Sequence, residues 1–245
     1  VSVTNNQAID GTGSTNLTVT NSGILSAVAK TIELEGSASG AVITNNFGGT
    51  ITAQNNTIKT QNNSSNITVN NSGVISTTSI GHAIATATGT DSGMVINNFS
   101  TGQILKTSTA DAAQETIELG DSGTITNSGQ IRNDTSPSNT SIRLKGDNST
   151  VILQDGGIVV GRIISEGTGN KLQVNHGLGQ AYFYDTAGTL ELEDLAGNTI
   201  VEGSASAVGL GAQETVDELI ALKASNLRAA LKRYALSMGG ERGGS

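Results

Sequence analysis

The 245-residue chain has no cysteine and no tryptophan, a single proline (Pro137), and only 2% aromatic residues. Without cysteine there is no disulfide framework, so whatever fold forms is held by packing and hydrogen bonds alone. Scarce proline and only 14% charged residues, set beside frequent Ile, Val and Thr, exclude a disordered chain. No run of about 18 apolar residues exists, so nothing here spans a membrane as a helix. Only 13 residues are Lys or Arg against 21 Asp or Glu, giving a net charge of −8. No basic cluster with interleaved aromatics occurs, and nucleic acid is excluded as a partner. The N-terminal VSVTNNQA lacks the basic start and apolar core of a signal peptide, so the chain is read as a mature form or a cut fragment.

What is present is a repeat. NLTVTNSGILSA (16–27), AVITNNFGGTITA (41–53), NITVNNSGVIST (66–77), MVINNFSTGQILKT (94–107) and TITNSGQIRN (124–133) share one plan. A short β-branched strand leads to Asn, then a Gly-containing turn, then a second Ile or Leu strand. Asn21, Asn46, Asn71, Asn98 and Asn127 align at spacings of 25, 25, 27 and 29. A third strand precedes each unit, as in TIELEG (31–36), TIKTQN (57–62), AIATAT (83–88), TIELGD (116–121) and SIRLKG (141–146). In the fifth period the strands are expected at 116–119, 124–126 and 130–132, with Ile or Val inward and Thr, Glu or Lys outward.

One such turn cannot bury its apolar side alone, whereas stacked turns bury it along a common axis. Three strands per turn of about 25 residues therefore predict an all-β fold, a right-handed parallel β-helix. Seven or eight turns make a rod of roughly 35 Å. The five aligned Asn residues are expected to form a structural ladder at one corner, each amide bonding to the next or holding its own turn. A β-propeller, with blades of about 40 residues, and a β-sandwich are the competing folds.

The segment ELGDSGTITNSGQI (118–131) contains GDSG, the pattern of a nucleophile loop in trypsin-like proteases, with Ser122 as the nucleophile. Related sequences precede the same strand in TDSGMVINN (90–98) and GSASGAVITNN (36–46), and a nucleophile loop is built once per active site, whereas a corner recurs. His82 and His176 are the only histidines, one and a half to two periods away, and a base must reach its nucleophile. Ser122 is read as a corner.

Other chemistry is thin. Glu33 and Glu35, and Glu115 and Glu118, lie on corresponding strands, but with no Arg accompanying them they read as a solvated acidic face. EGTGNKLQV (166–174) is close to a calcium-binding glycine-rich nonapeptide, yet Lys171 stands where a ligand Asp is required. No catalytic residue, cofactor or metal site is assigned.

From about residue 141 the period shortens and the Asn corner fades. The aromatics Tyr182, Phe183 and Tyr184 come together and, with a following hairpin, are expected to cap the open end of the solenoid. TVDELIALKASNLRAALKRYALSM (215–238) reads as a helix, with a Thr215/Glu218 capping box and an apolar stripe of Val216, Ile220, Leu227, Leu231 and Tyr234. Its length is about 34 Å, and its amphipathic face suits a polar pore rather than a simple span. Three parts are thus expected: a repeat solenoid (1–140), C-terminal turns and cap (141–210), and the helix (215–238).

NSGVI (71–75) and NSGQI (127–131), followed by SIRLKGDNSTVILQDGGIVVGRIISEGTGNKLQV (141–174) and then the helix, resemble the passenger region of a monomeric β-helical bacterial autotransporter, a type V secretion protein. The resemblance covers essentially the whole chain and rests on the order of repeats, autochaperone-like segment and linker helix. It implies export through an outer-membrane barrel of the same polypeptide and a place outside the cell or on its surface. It implies an adhesin or host-receptor-binding virulence factor, with a host protein or glycan as partner. Self-association, a passive stalk and a glycan-cleaving β-helix enzyme are the alternatives.

Overall fold

In each turn a strand such as Thr124–Asn127 alternates strictly: Ile125 and Asn127 are buried while Thr124 and Thr126 lie outward. β-branched residues suit this pleated, half-buried setting, and the small corners between strands turn the chain by about a third of a circuit. The result, in a computed structural model that describes residues 1–4, 6–87, 91–108, 114–136, 138–177, 182–201 and 206–208, is a right-handed parallel solenoid of about seven turns.

Three sheets of seven, eight and eight strands form its sides. Turns average about 26 residues, one more than the repeat suggested. In the fifth turn the strands are Ile117–Leu119, Thr124–Asn127 and Gln130–Asn133.

Register is kept residue for residue. In the first sheet Ile51, Ile75, Ile104 and Ile131 pair in sequence along the axis. In the second, Ile32, Ile58, Ile84, Ile117, Ile142 and Ile163 do the same. In the third the column is Val19, Ile43, Val69, Ile96, Ile125, Val151 and Leu172. The interior is therefore three aliphatic stacks meeting along the axis, and every isoleucine in them is fully buried. Each such side chain contributes about 2 kcal/mol. A single turn exposes half of each contact, which is why the stack and not the turn is the folding unit.

The sheets run on past residue 141, through Thr140–Leu144, Thr150–Gln154, Arg162–Ser165 and Lys171–Asn175 to Glu191–Asp194. Stacking requires inward apolar residues at the right period, and these persist where the corner sequence changes. The first sheet stops at Ile158–Val160. Beyond it a three-stranded antiparallel sheet forms from Tyr182–Phe183, Thr199–Val201 and Ser206–Val208. Tyr184 joins the core and Tyr182 packs against it. Phe183 does not: strand alternation turns it outward, 73% exposed, so two of the three expected cap aromatics face the core. The helix expected at 215–238 lies outside the described residues.

Candidate functional site

The asparagine corner sits between the third and first sheets. Asn21 donates to Asn45 Oδ1 at 2.9 Å, Asn45 to Asn71 at 2.9 Å, Asn71 to Asn98 at 2.8 Å and Asn98 to Asn127 at 2.8 Å. The residue in the second rung is Asn45, not Asn46 as the alignment of repeats suggested. Asn45 falls on the inward phase of its strand and is fully buried, whereas Asn46 lies one residue on and bonds the exposed Ser22 Oγ at 2.8 Å. Each ladder amide also holds the next rung: Asn45 reaches Val74 O, Asn71 reaches Gln103 O and Asn98 reaches Gln130 O, all at 3.1 Å. The chain of amides ends where Leu153 pairs with Asn127.

The corner itself alternates in size. Two residues separate Asn21 from Ile24, Asn71 from Val74 and Asn127 from Gln130. Four residues separate Asn45 from Thr50, Asn98 from Gln103 and Leu153 from Ile158. The three long corners share one closing bond, Gly49 N to Asn46 O, Gly102 N to Phe99 O and Gly157 N to Gln154 O, at 2.7–2.8 Å. The edge of the rod is thus corrugated, with ridges two rungs apart, about 10 Å. Phe47 and Phe99 stand on two of these ridges, 77% and 47% exposed. Beside Phe47 a groove of about 190 Å³ is lined by Gly49, Thr50, Ser72, Gly73, Val74 and Thr101; Phe99 is not part of its lining. With Phe183, every phenylalanine in the chain faces solvent.

A second feature lies on the outer face of the second sheet. Glu118 pairs in register with Arg143 on the next rung. Arg143 Nε lies 3.2 Å from Glu115 Oε2, Arg143 Nη1 2.9 Å from Glu166, and Lys145 Nζ 2.8 Å from Glu118. His82, one rung earlier, places Nε2 3.3 Å from Glu115 Oε1 and 3.8 Å from Glu118 Oε2. The expectation that no Arg accompanies these acids is corrected: Arg143 is distant in sequence but adjacent in the stack. Burial pushes the Glu115 carboxyl up, but its side-chain contacts with His82 and Glu118 and the charges of His82 and Arg143 outweigh it, holding Glu115 down at about 2. An acid so fully ionised is no proton donor at neutral pH. Glu33, three rungs before Glu118 with Lys59 and Ala85 between, is likewise buried and tied to Lys30 and Gln61. Sequence reading missed His82, Arg143 and Lys145. The available signal was offset from the buried isoleucines: His82 and Glu115 each stand two residues before theirs, and Glu118 and Arg143 each one residue after.

Ser122 is exposed at the corner between the second and third sheets, with φ of 51°. Ser92 bridges Asp121, so Gly93, and not Ser92, occupies the place of Ser122 one rung earlier. The positive-φ residues recur there as Asn16, Gly40, Asn66, Gly93, Ser122, Asn148 and Gly169. GDSG and TDSG are therefore out of step by one residue, and what recurs is a left-handed corner. His82 is engaged on the second sheet with Asn56 and the two glutamates.

No family model, curated protein or solved structure matches the chain. The parallel β-solenoid is of the kind a β-helical passenger would have.

Proposed function

We propose that the chain is a secreted or surface-exposed autotransporter passenger that acts as a binding module, an adhesin or host-receptor-binding factor. The observation that carries this reading is the placement of phenylalanine. Among the described residues the apolar core is aliphatic apart from Tyr184, while Phe47, Phe99 and Phe183 are all presented to solvent. Aromatic side chains are the commonest anchors of protein and ligand interfaces, and leaving them in water costs free energy that burial in a partner recovers. Phe47 lines the groove and Phe99 stands on another ridge of the same corrugated edge, which favours that edge as the binding face. The outward Thr, Asn and Gln residues around it supply hydrogen-bonding groups for a protein or glycan. Glu115, locked in its ionised form by Arg143 and His82, favours a binding role over glycan cleavage, which needs a carboxyl with a raised pKa.

The test is binding of the labelled chain to host cells, with unlabelled wild type and the double variant Phe47→Ser/Phe99→Ser as competitors. Saturable binding, displaced by wild type and at least 10-fold less well by the double variant, supports the reading. Absence of saturable binding, together with concentration-dependent oligomers in sedimentation, would replace it with self-association.

A further inference from the structure

We propose that His82, Glu115 and Glu118 form a site for a divalent transition-metal ion of the zinc type, joining two adjacent rungs of the solenoid. The backbone N–H of His82 donates to the Asn56 side chain at 3.0 Å, so the Asn56 atom facing it is Oδ1. The same Oδ1 lies 2.9 Å from His82 Nδ1. An amide oxygen only accepts, so Nδ1 carries a hydrogen, and Nε2 is the ring nitrogen left to ligate an ion. That nitrogen is buried, makes no well-formed hydrogen bond, and points at two carboxylates. A ring nitrogen and two carboxylates that converge on one point hold a cation between them, and a metal ion takes that place by displacing a proton from Nε2.

The three ligand atoms lie within 4.8 Å of one another. Ligands held about 2.0–2.1 Å from a tetrahedral ion are about 3.3 Å apart, and Nε2 and Glu115 Oε1 are separated by 3.3 Å. Glu118 Oε2, at 3.8 Å, needs a small inward shift. The supporting groups are those a metal site requires. Asn56 fixes the imidazole, and Arg143 holds Glu115 by its other oxygen, leaving Oε1 free for the ion. Lys145 is 34% exposed and can withdraw from Glu118 into solvent. Three carboxylates, counting Glu166, face the two cations Arg143 and Lys145, so the side-chain charges around the imidazole leave one excess negative charge for an ion to offset. One imidazole and two carboxylates, with room for water, suit zinc or cobalt and not calcium, which takes six to eight oxygens.

The test is titration of the metal-stripped chain with Co²⁺, read by its visible d–d absorption, and with Zn²⁺ by calorimetry and thermal melting. One equivalent of each is expected, with a raised melting temperature. His82→Gln and Glu118→Gln should each weaken binding at least 10-fold, whereas His176→Gln, altering the chain's other histidine, should leave it unchanged. Both second-sheet substitutions are on the outer face, and unchanged β-sheet circular dichroism without metal verifies that they fold. No binding below millimolar concentration, or binding unaffected by His82→Gln, overturns the proposal.

Discussion

Asn45 donates its side-chain amide to Asn71 Oδ1 at 2.9 Å, and Asn71 in turn donates to Asn98 at 2.8 Å, in a column that water does not reach. A buried amide has two donors and an acceptor to satisfy, and here each is satisfied by the rung above or below. Removing Asn71 strands Asn98 Oδ1 and the Gln103 carbonyl while leaving a void at the corner. Asn71→Ala is expected to cost about 2–4 kcal/mol, read as a lower urea midpoint. Asn46→Ala, in the neighbouring rung but on the surface, should lie within about 0.5 kcal/mol of wild type. Equal effects of the two would mean that the ladder contributes nothing beyond a surface amide.

Gly73 closes that corner from the other side. A Cβ there would meet Asn46 O at 2.6 Å and Asn45 Nδ2 at 2.7 Å, both on the preceding rung, and a backbone carbonyl has little room to retreat. Gly73→Ala is expected to destabilise by about 1–3 kcal/mol. Gly23, its counterpart two rungs away, has nothing within 4 Å of a built Cβ. Gly23→Ala should be nearly silent, and the difference in urea midpoints between the two variants checks the close approach.

These corners also show what the sequence could and could not say. The inward isoleucines recur at a fixed offset from each strand start, so sheet count, strand order and the solenoid itself were readable from the repeat. The second ladder residue was misplaced because Asn45 and Asn46 are adjacent and the corner after them is two residues longer than its neighbours. Only the phase of Val42–Asn45 decides between them. The cluster of His82, Glu115 and Arg143 was invisible for a different reason. Its members come from three rungs, and lengthened connections between second-sheet strands hide their common register. Phe183 was grouped with Tyr182 and Tyr184 by proximity in sequence, but alternation in an edge strand sends neighbours to opposite sides.

The exposed phenylalanines give a prediction that separates binding from folding. Phe47→Ser removes a side chain that is mostly in water and should change stability by less than about 0.5 kcal/mol, and Phe99→Ser, at a half-buried position, by about 1 kcal/mol. Loss of an interface anchor typically costs more than 1 kcal/mol of binding, about fivefold or more in affinity. A melting curve unchanged for Phe47→Ser and only slightly lowered for Phe99→Ser, beside weakened cell binding, is the expected set of results. Variants that bind normally would remove the corrugated edge from consideration.

Tyr182 stacks on His176 with ring centroids 4.1 Å apart and donates its hydroxyl to Gly157 O at 2.9 Å. Burial raises the phenol from 10.0 to about 12, with a smaller opposing backbone hydrogen bond. The folded chain therefore keeps a proton that the unfolded chain loses above pH 10. The Tyr182 contribution is complete below pH 10 and is lost as pH rises toward 12. Alkaline difference spectroscopy should show a phenolate appearing late, coincident with loss of the C-terminal packing. Tyr182→Phe should abolish that late component. Ionisation of Tyr182 at the ordinary tyrosine pH would show that the stack on His176 is open to water.

Ser122 returns to the question posed by GDSG. Its φ of 51° places a side chain in the left-handed region, where Gly93 and Gly40 stand in the equivalent places of earlier rungs. A β-carbon there costs about 1–2 kcal/mol, part of which glycine returns through the greater freedom of its unfolded chain. Ser122→Gly is expected to stabilise by up to about 1 kcal/mol and Ser122→Asn to be neutral, both read from urea midpoints. A serine activated for catalysis behaves in the opposite way: it reacts with a fluorophosphonate, and its replacement removes that reaction. No labelling of wild type, together with a more stable glycine variant, is the outcome that a recurring corner requires. Stoichiometric labelling at Ser122 would mean that a base reaches it by a route the stacked rungs do not provide.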